Sequence, residues 1–333
     1  MDEIKQLIGD IKQGQISPIY LLHGEESYYI DKISEYIESN VLSEEEKGFN
    51  QVVLYGKETK IEDIVASAKR FPMMAERQVL IVKEAQDLSR TMDQLEAYAE
   101  NPQPSTVLVL CYKYKKLDAR TKVFKMIKKN GTVFLSKKLY ENQVGDWIQK
   151  VLKGKKYTIS YKASQMLVEF LGTDLGTIAK ELEKLQIIIP AGSEITPEHI
   201  EKNIGISKDY NNFELQAAIA AKDVSKAIKI INYFGQNQKD NPMVLTVTML
   251  YTFFSALLKY HGASDKSWDN LTKNVGLKPY LIKNVKPAAA VYPLRKVSGV
   301  ISILNQYDAK SKGMGSKATN TDLLKEMIVK IMT

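Results

Sequence analysis

The residues that could do chemistry begin after a short apolar run, Ile19-Tyr20-Leu21-Leu22, which continues into His23-Gly24-Glu25-Glu26-Ser27. A phosphate-binding loop would stand at such a place. It needs glycines so that backbone N–H groups can close on the phosphates, a lysine for the outer phosphates, and a Ser or Thr hydroxyl for magnesium. Gly24 is present, but a second glycine and a Gly-Lys-Ser/Thr run are not. Glu25 and Glu26 stand there instead, and each like-charge contact with a phosphate costs on the order of 1–4 kcal/mol at a few ångströms. An ordinary turn with no link to nucleotides predicts the same absence. The apolar run VLIVKEA carries Lys83 where a magnesium-binding carboxylate would be needed, followed by Glu84. A cation there opposes magnesium. The later stretch LGTDLGTIAKELEKL has no arginine to reach a terminal phosphate. Three parts of a hydrolysing site are missing. The expectation is a chain with no catalytic residue, no cofactor and no metal. His23, His199 and His261 are far apart and lack metal-ligand spacing.

A second segment could bind rather than react. In SAKRFPMMAERQVLIV, Pro72 ends a helical pattern, and Phe71, Met73 and Met74 cluster between Arg70 and the pair Glu76-Arg77. Methionine adapts to varied pockets and is over-used at binding surfaces. Two readings follow: an apolar plug on an exposed tip, or side chains that cap the domain's own core. A third segment is basic. Lys113, Lys115, Lys116, Arg120, Lys122, Lys125, Lys128 and Lys129 crowd one stretch, with Tyr112 and Tyr114 interleaved. It reads either as a solvated helix face or as sequence-independent contact with a nucleic-acid backbone.

The elements that must position these residues follow from periodicity. Up to about residue 135, strands at Ile19–Leu22, Gln51–Tyr55, Val79–Val82, Thr106–Cys111 and Thr132–Leu135 alternate with helical patterns. Five short apolar strands with helical crossovers predict a parallel sheet covered on both faces. After about Ser136 the strand pattern stops. Helices are predicted over Glu141–Leu152, Ser160–Leu171 and Leu175–Ile188, and another starts at Thr196 as N-cap with Pro197 in its first turn. A polar break at Ser207–Asn212 opens an all-helical third region. The predicted fold is α/β plus all-α. Its domains are 1–138 around the parallel sheet, 139–207 as a small helical domain, and 208–333 as a helical domain. A parallel sheet followed by a small helical domain is the layout of AAA+ ATPases.

The 333 residues are 44% hydrophobic and 26% charged, which reads as globular. No stretch approaches the roughly 18 apolar residues of a membrane span. The charged N-terminus lacks a secretory pattern, and the single cysteine, Cys111, excludes internal disulfides. Together these predict a cytoplasmic protein without a membrane partner. The net charge of +8 is compatible with a polyanionic partner.

Over most of its length the sequence resembles the delta subunits of the bacterial DNA polymerase III clamp loader. The resemblance is carried by PIYLLHGEESYYIDKI, RFPMMAERQVLIVKEAQDL, ELEKLQIIIPAGSEITPEHI, NNFELQAAIAAKDVSKAIKII and the C-terminal YDAKSKG. It implies an AAA+ module without ATPase activity, a helical lid and a helical collar that joins the other loader subunits. The partners so implied are the sliding clamp (beta subunit), gamma/tau and delta-prime type subunits, and primed DNA within the complex. No catalysis of its own is implied, only membership of a nucleotidyltransferase holoenzyme. The family's clamp-opening hydrophobic pair, before Ala-x-Arg-Gln, falls on Met73 and Met74 before Ala75-Glu76-Arg77-Gln78, with Phe71 as an added aromatic. The expected function is a clamp-opening subunit acting in DNA replication, with Lys113, Lys115, Lys116 and Arg120 as possible DNA contacts. The rival functions are an active nucleotidase with an unusual phosphate site and a stand-alone nucleic-acid-binding protein.

Overall fold

The computed structural model describes residues 2–277 and 279–333. The chain opens with α1 (Asp2–Lys12), β1 (Ile19–Gly24), α2 (Ser27–Asn40), α3 (Glu44–Asn50), β2 (Gln51–Tyr55), α4 (Ile61–Ala68) and β3 (Gln78–Lys83). Two single-turn 3₁₀ segments, Ala85–Leu88 and Met92–Leu95, lead to α5 (Glu96–Glu100), β4 (Thr106–Lys113), α6 (Lys122–Asn130) and β5 (Thr132–Ser136). All five strands are parallel, in the order β2-β3-β4-β1-β5.

The sheet has two covered faces because its apolar strands send alternate side chains to opposite sides. Leu21, Leu80, Val82, Leu108 and Leu110 join one core layer with Ile64 of α4 and Ile127 of α6. Tyr20, Leu22, Ile81, Val109 and Cys111 join the other with Ile30, Ile33 and Ile37 of α2 and Leu7 of α1. Every residue of β4 is buried, as a central strand requires. Cys111 is part of this core, and burial pushes its thiol up to about 12, so it is an inert hydrophobe.

The chain continues through α7 (Glu141–Gly154), β6 (Thr158–Ile159), α8 (Tyr161–Leu171), α9 (Leu175–Ile188), β7 (Glu194–Ile195) and α10 (Pro197–Ile204). Then come α11 (Asn212–Ala220), α12 (Val224–Gln236), α13 (Met243–Gly262), α14 (Pro279–Val291), α15 (Leu294–Ser311) and α16 (Asn320–Met332). Two compact units result: Met1–Ile148 with Leu171–Glu183, and Gln149–Phe170 with Lys184–Thr333. The second is held by a large helical core that includes Phe234, Phe253, Phe254, Tyr292 and Tyr307. There the Tyr292 hydroxyl donates to the Ile219 carbonyl at 2.9 Å, which satisfies a buried polar group.

Four features differ from the sequence reading. Helix α3 was not foreseen, although Ser43-x-x-Glu46 is a capping-box pattern, and that box forms. The strand pattern does not end at Ser136, because β6 and β7 pair in parallel over two residues each. The helical pattern ahead of the fourth strand forms as a 3₁₀ turn followed by one short α-helix. Finally, α13 is long and apolar enough to cross a membrane by length and composition, contrary to the expectation that no stretch approaches this. Half of its apolar window is buried, with Val247, Leu250, Phe253 and Leu257 inside the helical core.

Candidate functional site

The loop after β1 turns backbone donors of its own onto the protein itself. The Gly24 N–H donates to the Lys115 carbonyl at 3.1 Å, and the Glu26 N–H donates to the Ser136 carbonyl at 3.4 Å. The Tyr28 N–H, in the first turn of α2, donates to Glu26 Oε1 at 2.9 Å. Glu26 is thus the N-cap of α2, and its carboxylate sits where the positive end of the helix would otherwise receive a phosphate. The sequence reading had Glu26 facing the loop as a repelling charge. It is in fact buried, and burial raises its carboxyl above the ordinary range despite the Tyr28 hydrogen bond. Glu25 stays at the surface and pairs with Lys116 at 3.2 Å. Gly24 is needed for a close approach: its φ is +134°, and a Cβ there would lie 2.0 Å from the Ser136 carbonyl oxygen.

The carboxyl edge of the sheet, where open α/β sheets bind ligands, is filled in the same manner. Lys113 ends β4 in register with Gly24. Its Nζ lies 2.8 Å from Asp31 of α2 and 2.9 Å from Glu84. The Lys113 N–H donates to Gln86 Oε1 at 3.0 Å, and Gln86 Nε2 donates to Glu84 at 2.6 Å. Burial alone would lower the Lys113 pKa, but its hydrogen bonds to Asp31 and Glu84 outweigh it and hold the ammonium firmly charged. Burial opposes the charge on Glu84 too, and the Lys113 and Gln86 hydrogen bonds reverse that and hold its carboxyl below the usual range. Lys83 pairs with Glu38 at 3.1 Å. The residues present therefore do not fit a magnesium–triphosphate: the Gly24, Glu26 and Tyr28 N–H donors are taken, and the central cation already has two carboxylates.

His23 is likewise structural. Its Nδ1 accepts the Leu117 N–H at 3.1 Å, and burial followed by the nearby Lys116 lowers its pKa, so the ring is neutral. His199 Nδ1 accepts the Thr196 N–H at the start of α10.

The Phe71–Met74 tip is exposed. Phe71 is 78% accessible, Met73 62% and Met74 103%, which places none of them in the domain's own core. The base of the tip is tied at β3, where Gln78 Nε2 donates to the Arg70 carbonyl at 2.6 Å and to the Ser67 carbonyl at 3.2 Å. Thr106 Oγ1 donates to the Ala68 carbonyl at 2.8 Å. The Ala68 carbonyl, at the last residue of α4, is one that the helix end leaves for such a side-chain donor. Arg77 Nη1 reaches the Ile16 carbonyl at 3.5 Å. In the middle of the tip, Asn50 at the end of α3 accepts the Met73 N–H at 2.6 Å and donates to the Met73 carbonyl at 2.9 Å. Met74 takes a left-handed φ of 53°, a conformation that costs a methionine roughly 1–2 kcal/mol. Sequence reasoning found the apolar residues of the tip but missed Asn50 and Asp31, and it gave Gln78 a place in the motif without its role as a tether.

The basic stretch is less available than its composition implied. Lys113, expected at a DNA surface, is instead buried in the Asp31–Glu84 arrangement. Lys115 donates to Ser89 Oγ at 3.2 Å and lies over the Tyr112 ring. Lys116 is paired with Glu25, and Arg120 is paired with Asp118 at 2.7 Å. On α6, Lys125, Lys128 and Lys129 are exposed.

Residues 20–137 match the family described as DNA polymerase III, delta subunit. The chain is 27% identical over 313 residues to DNA polymerase III subunit delta of Bacillus subtilis (strain 168), covering 91% of this chain and 90% of that one. It is 21% identical over 306 residues to a protein of Aquifex aeolicus (strain VF5) described as probable DNA polymerase III subunit delta, covering 88% of this chain and 86% of that one. Among solved structures, the Bacillus subtilis DNA clamp loader delta protein superposes with a TM-score of 0.53 at 23% identity, over 99% of each chain, and so shares the fold.

Proposed function

We propose, from the premise that this chain is a homologue of the DNA polymerase III delta subunit, that it is the clamp-opening subunit of a replication clamp loader and works through the Phe71–Met74 tip. The observation that carries this reading is the tip itself: three large apolar side chains held outside the core on a backbone tied down at both its base and its middle. The sealed phosphate position supports a role without ATP hydrolysis. Two carboxylates and a capped helix occupy the space that a nucleotide would need.

Full burial of a methionine contributes about 1.5–3 kcal/mol. Two of them entering a pocket on the sliding clamp supply enough to change affinity by orders of magnitude. If that pocket fits better in the open ring than in the closed one, binding shifts the ring toward opening by that differential affinity. We assign residues 1–138 to clamp binding, 139–207 to the lid and 208–333 to the collar that meets the other loader subunits, in the cytoplasm. Primed DNA passing through the assembly meets the basic stretch through Lys115, Lys116 and Arg120, as backbone contact without sequence preference.

The test is a titration of the chain with the sliding clamp (beta subunit). M73A/M74A is expected to weaken binding at least a hundredfold while its thermal melting stays near that of the unaltered chain. An unchanged clamp affinity ends the reading.

A further inference from the structure

The tip does not hold its shape by itself. Asn50 is the last residue of α3 and is buried, with 3% of its surface accessible. A buried carboxamide must find partners for its polar atoms. Here Oδ1 accepts the Met73 N–H at 2.6 Å, while Nδ2 donates to the Met73 carbonyl at 2.9 Å and to the Glu46 carbonyl at 3.1 Å. The first two bonds reproduce what a neighbouring strand would give one residue, an N–H and a C=O satisfied together. The Met73 backbone is fixed by one side chain, and its own side chain stays exposed.

Asn50 is itself well braced. At the start of α3 the Ser43 N–H donates to the Glu46 carboxylate at 2.8 Å, and the Glu46 N–H donates back to Ser43 Oγ at 3.4 Å. Glu46 therefore caps the helix with its side chain and receives Asn50 with its carbonyl. Directly after Asn50, β2 enters the sheet with Gln51 in register with Val79. Val79 follows Gln78, the residue that ties the base of the tip. Helix α3 is thus a strut between a helix cap and the sheet, and the tip hangs on its far end.

We infer that Asn50 is the positioning residue of the partner-binding tip: it pre-orders Met73, so that binding does not have to. The inference rests on the clamp reading above. A free loop loses conformational entropy when a partner orders it, and that loss is subtracted from affinity. Releasing one backbone residue in this way is expected to lower affinity roughly tenfold.

The experiment is clamp titration of four full-length chains, the unaltered one, N50A, M73A/M74A and the triple variant, together with amide hydrogen exchange. N50A is expected to bind the clamp about tenfold more weakly, whereas adding N50A to M73A/M74A causes no further loss, because Asn50 acts only through the methionines. The Met73 amide should exchange faster in N50A, and the Leu80 and Leu108 amides of the sheet should stay protected. In the unaltered chain the Met73 amide should exchange more slowly than that of Met74; equal rates refute the pin even if N50A does not fold. Clamp affinity that survives in N50A but falls in M73A/M74A overturns the role of Asn50 alone. Affinity that survives in M73A/M74A overturns the clamp reading itself. A tenfold loss from N50A in both backgrounds also overturns the inference, because it marks a general loss of structure.

Discussion

Glu26 decides the fate of the loop after β1. In an anion-binding loop the first N–H groups of the following helix wait for a ligand. Here the chain supplies its own carboxylate, and the Tyr28 N–H is already bonded to it. Burial lifts the Glu26 carboxyl in the folded chain above its unfolded value, so folding favours the protonated acid. The stability associated with that proton is complete below the ordinary carboxylate pKa of about 4.3, and it is lost as the pH rises through the raised folded value. Glu26→Gln keeps an acceptor for Tyr28 and has no charge to desolvate. The variant should therefore melt above the unaltered chain at pH 7, with the gap closing as the pH falls toward about 4. Thermal melts across that range check it; a variant less stable at pH 7 would show that the charge stabilises the helix end more than burial opposes it.

At the scale of elements, the carboxyl ends of β3 and β4 and one face of α2 are joined by charge. Lys113 leaves β4 between Asp31 of α2 and Glu84 just past β3. Removing one member of a buried charge group costs more than the group contributes when intact, because it strands the others. Lys113→Met is expected to destabilise the sheet domain by about 1–3 kcal/mol, below the full figure for buried pairs because Asp31 and Glu84 are partly exposed. Adding Asp31→Asn and Glu84→Gln to Lys113→Met should recover most of the loss. Denaturant unfolding of the three proteins measures both, and a triple variant no more stable than the single one would mean that Lys113 matters for its alkyl chain. Helix α3 makes a related point. It is short and capped at one end by Ser43 and Glu46, and its other end holds the backbone of a loop distant in the chain.

At the scale of the molecule, a chain with a net charge of +8 pairs several cations of its basic stretch with its own carboxylates. Lys113, Lys116 and Arg120 each face a carboxylate. The contribution of this stretch to DNA binding by an assembled loader is therefore expected to be electrostatic and modest. Replacing Lys115, Lys116 and Arg120 with Gln should flatten the dependence of log affinity on log salt by about 0.7–0.9 for each phosphate that these side chains neutralise, equally for every DNA sequence. Affinity measured across a salt series on primed DNA of two compositions checks it, and an unchanged slope removes these residues from the DNA path.

The sequence alone determined what short-range periodicity and local chemistry can specify. The five apolar strands lie within a few residues of where the pattern put them, because a run such as Thr106–Cys111 is almost continuously apolar, half β-branched and too short for a core helix, which suits a buried central strand. The start of α10 at Thr196-Pro197 is likewise a local matter of capping. The missing phosphate-loop glycines and the apolar character of Phe71, Met73 and Met74 were legible as residue types. Which of two readings held for the tip was a tertiary decision, since the same residues fit a core or a surface until the surrounding chain is placed. So were the partners. Asn50 meets Met73 from 23 residues away, Lys113 turns inward because α2 brings Asp31 over the end of β4, and Glu26 becomes a cap because β1 aims it at α2. Hydrogen bonds and ion pairs act over a few ångströms in space, and only the folded backbone sets which side chains come that close.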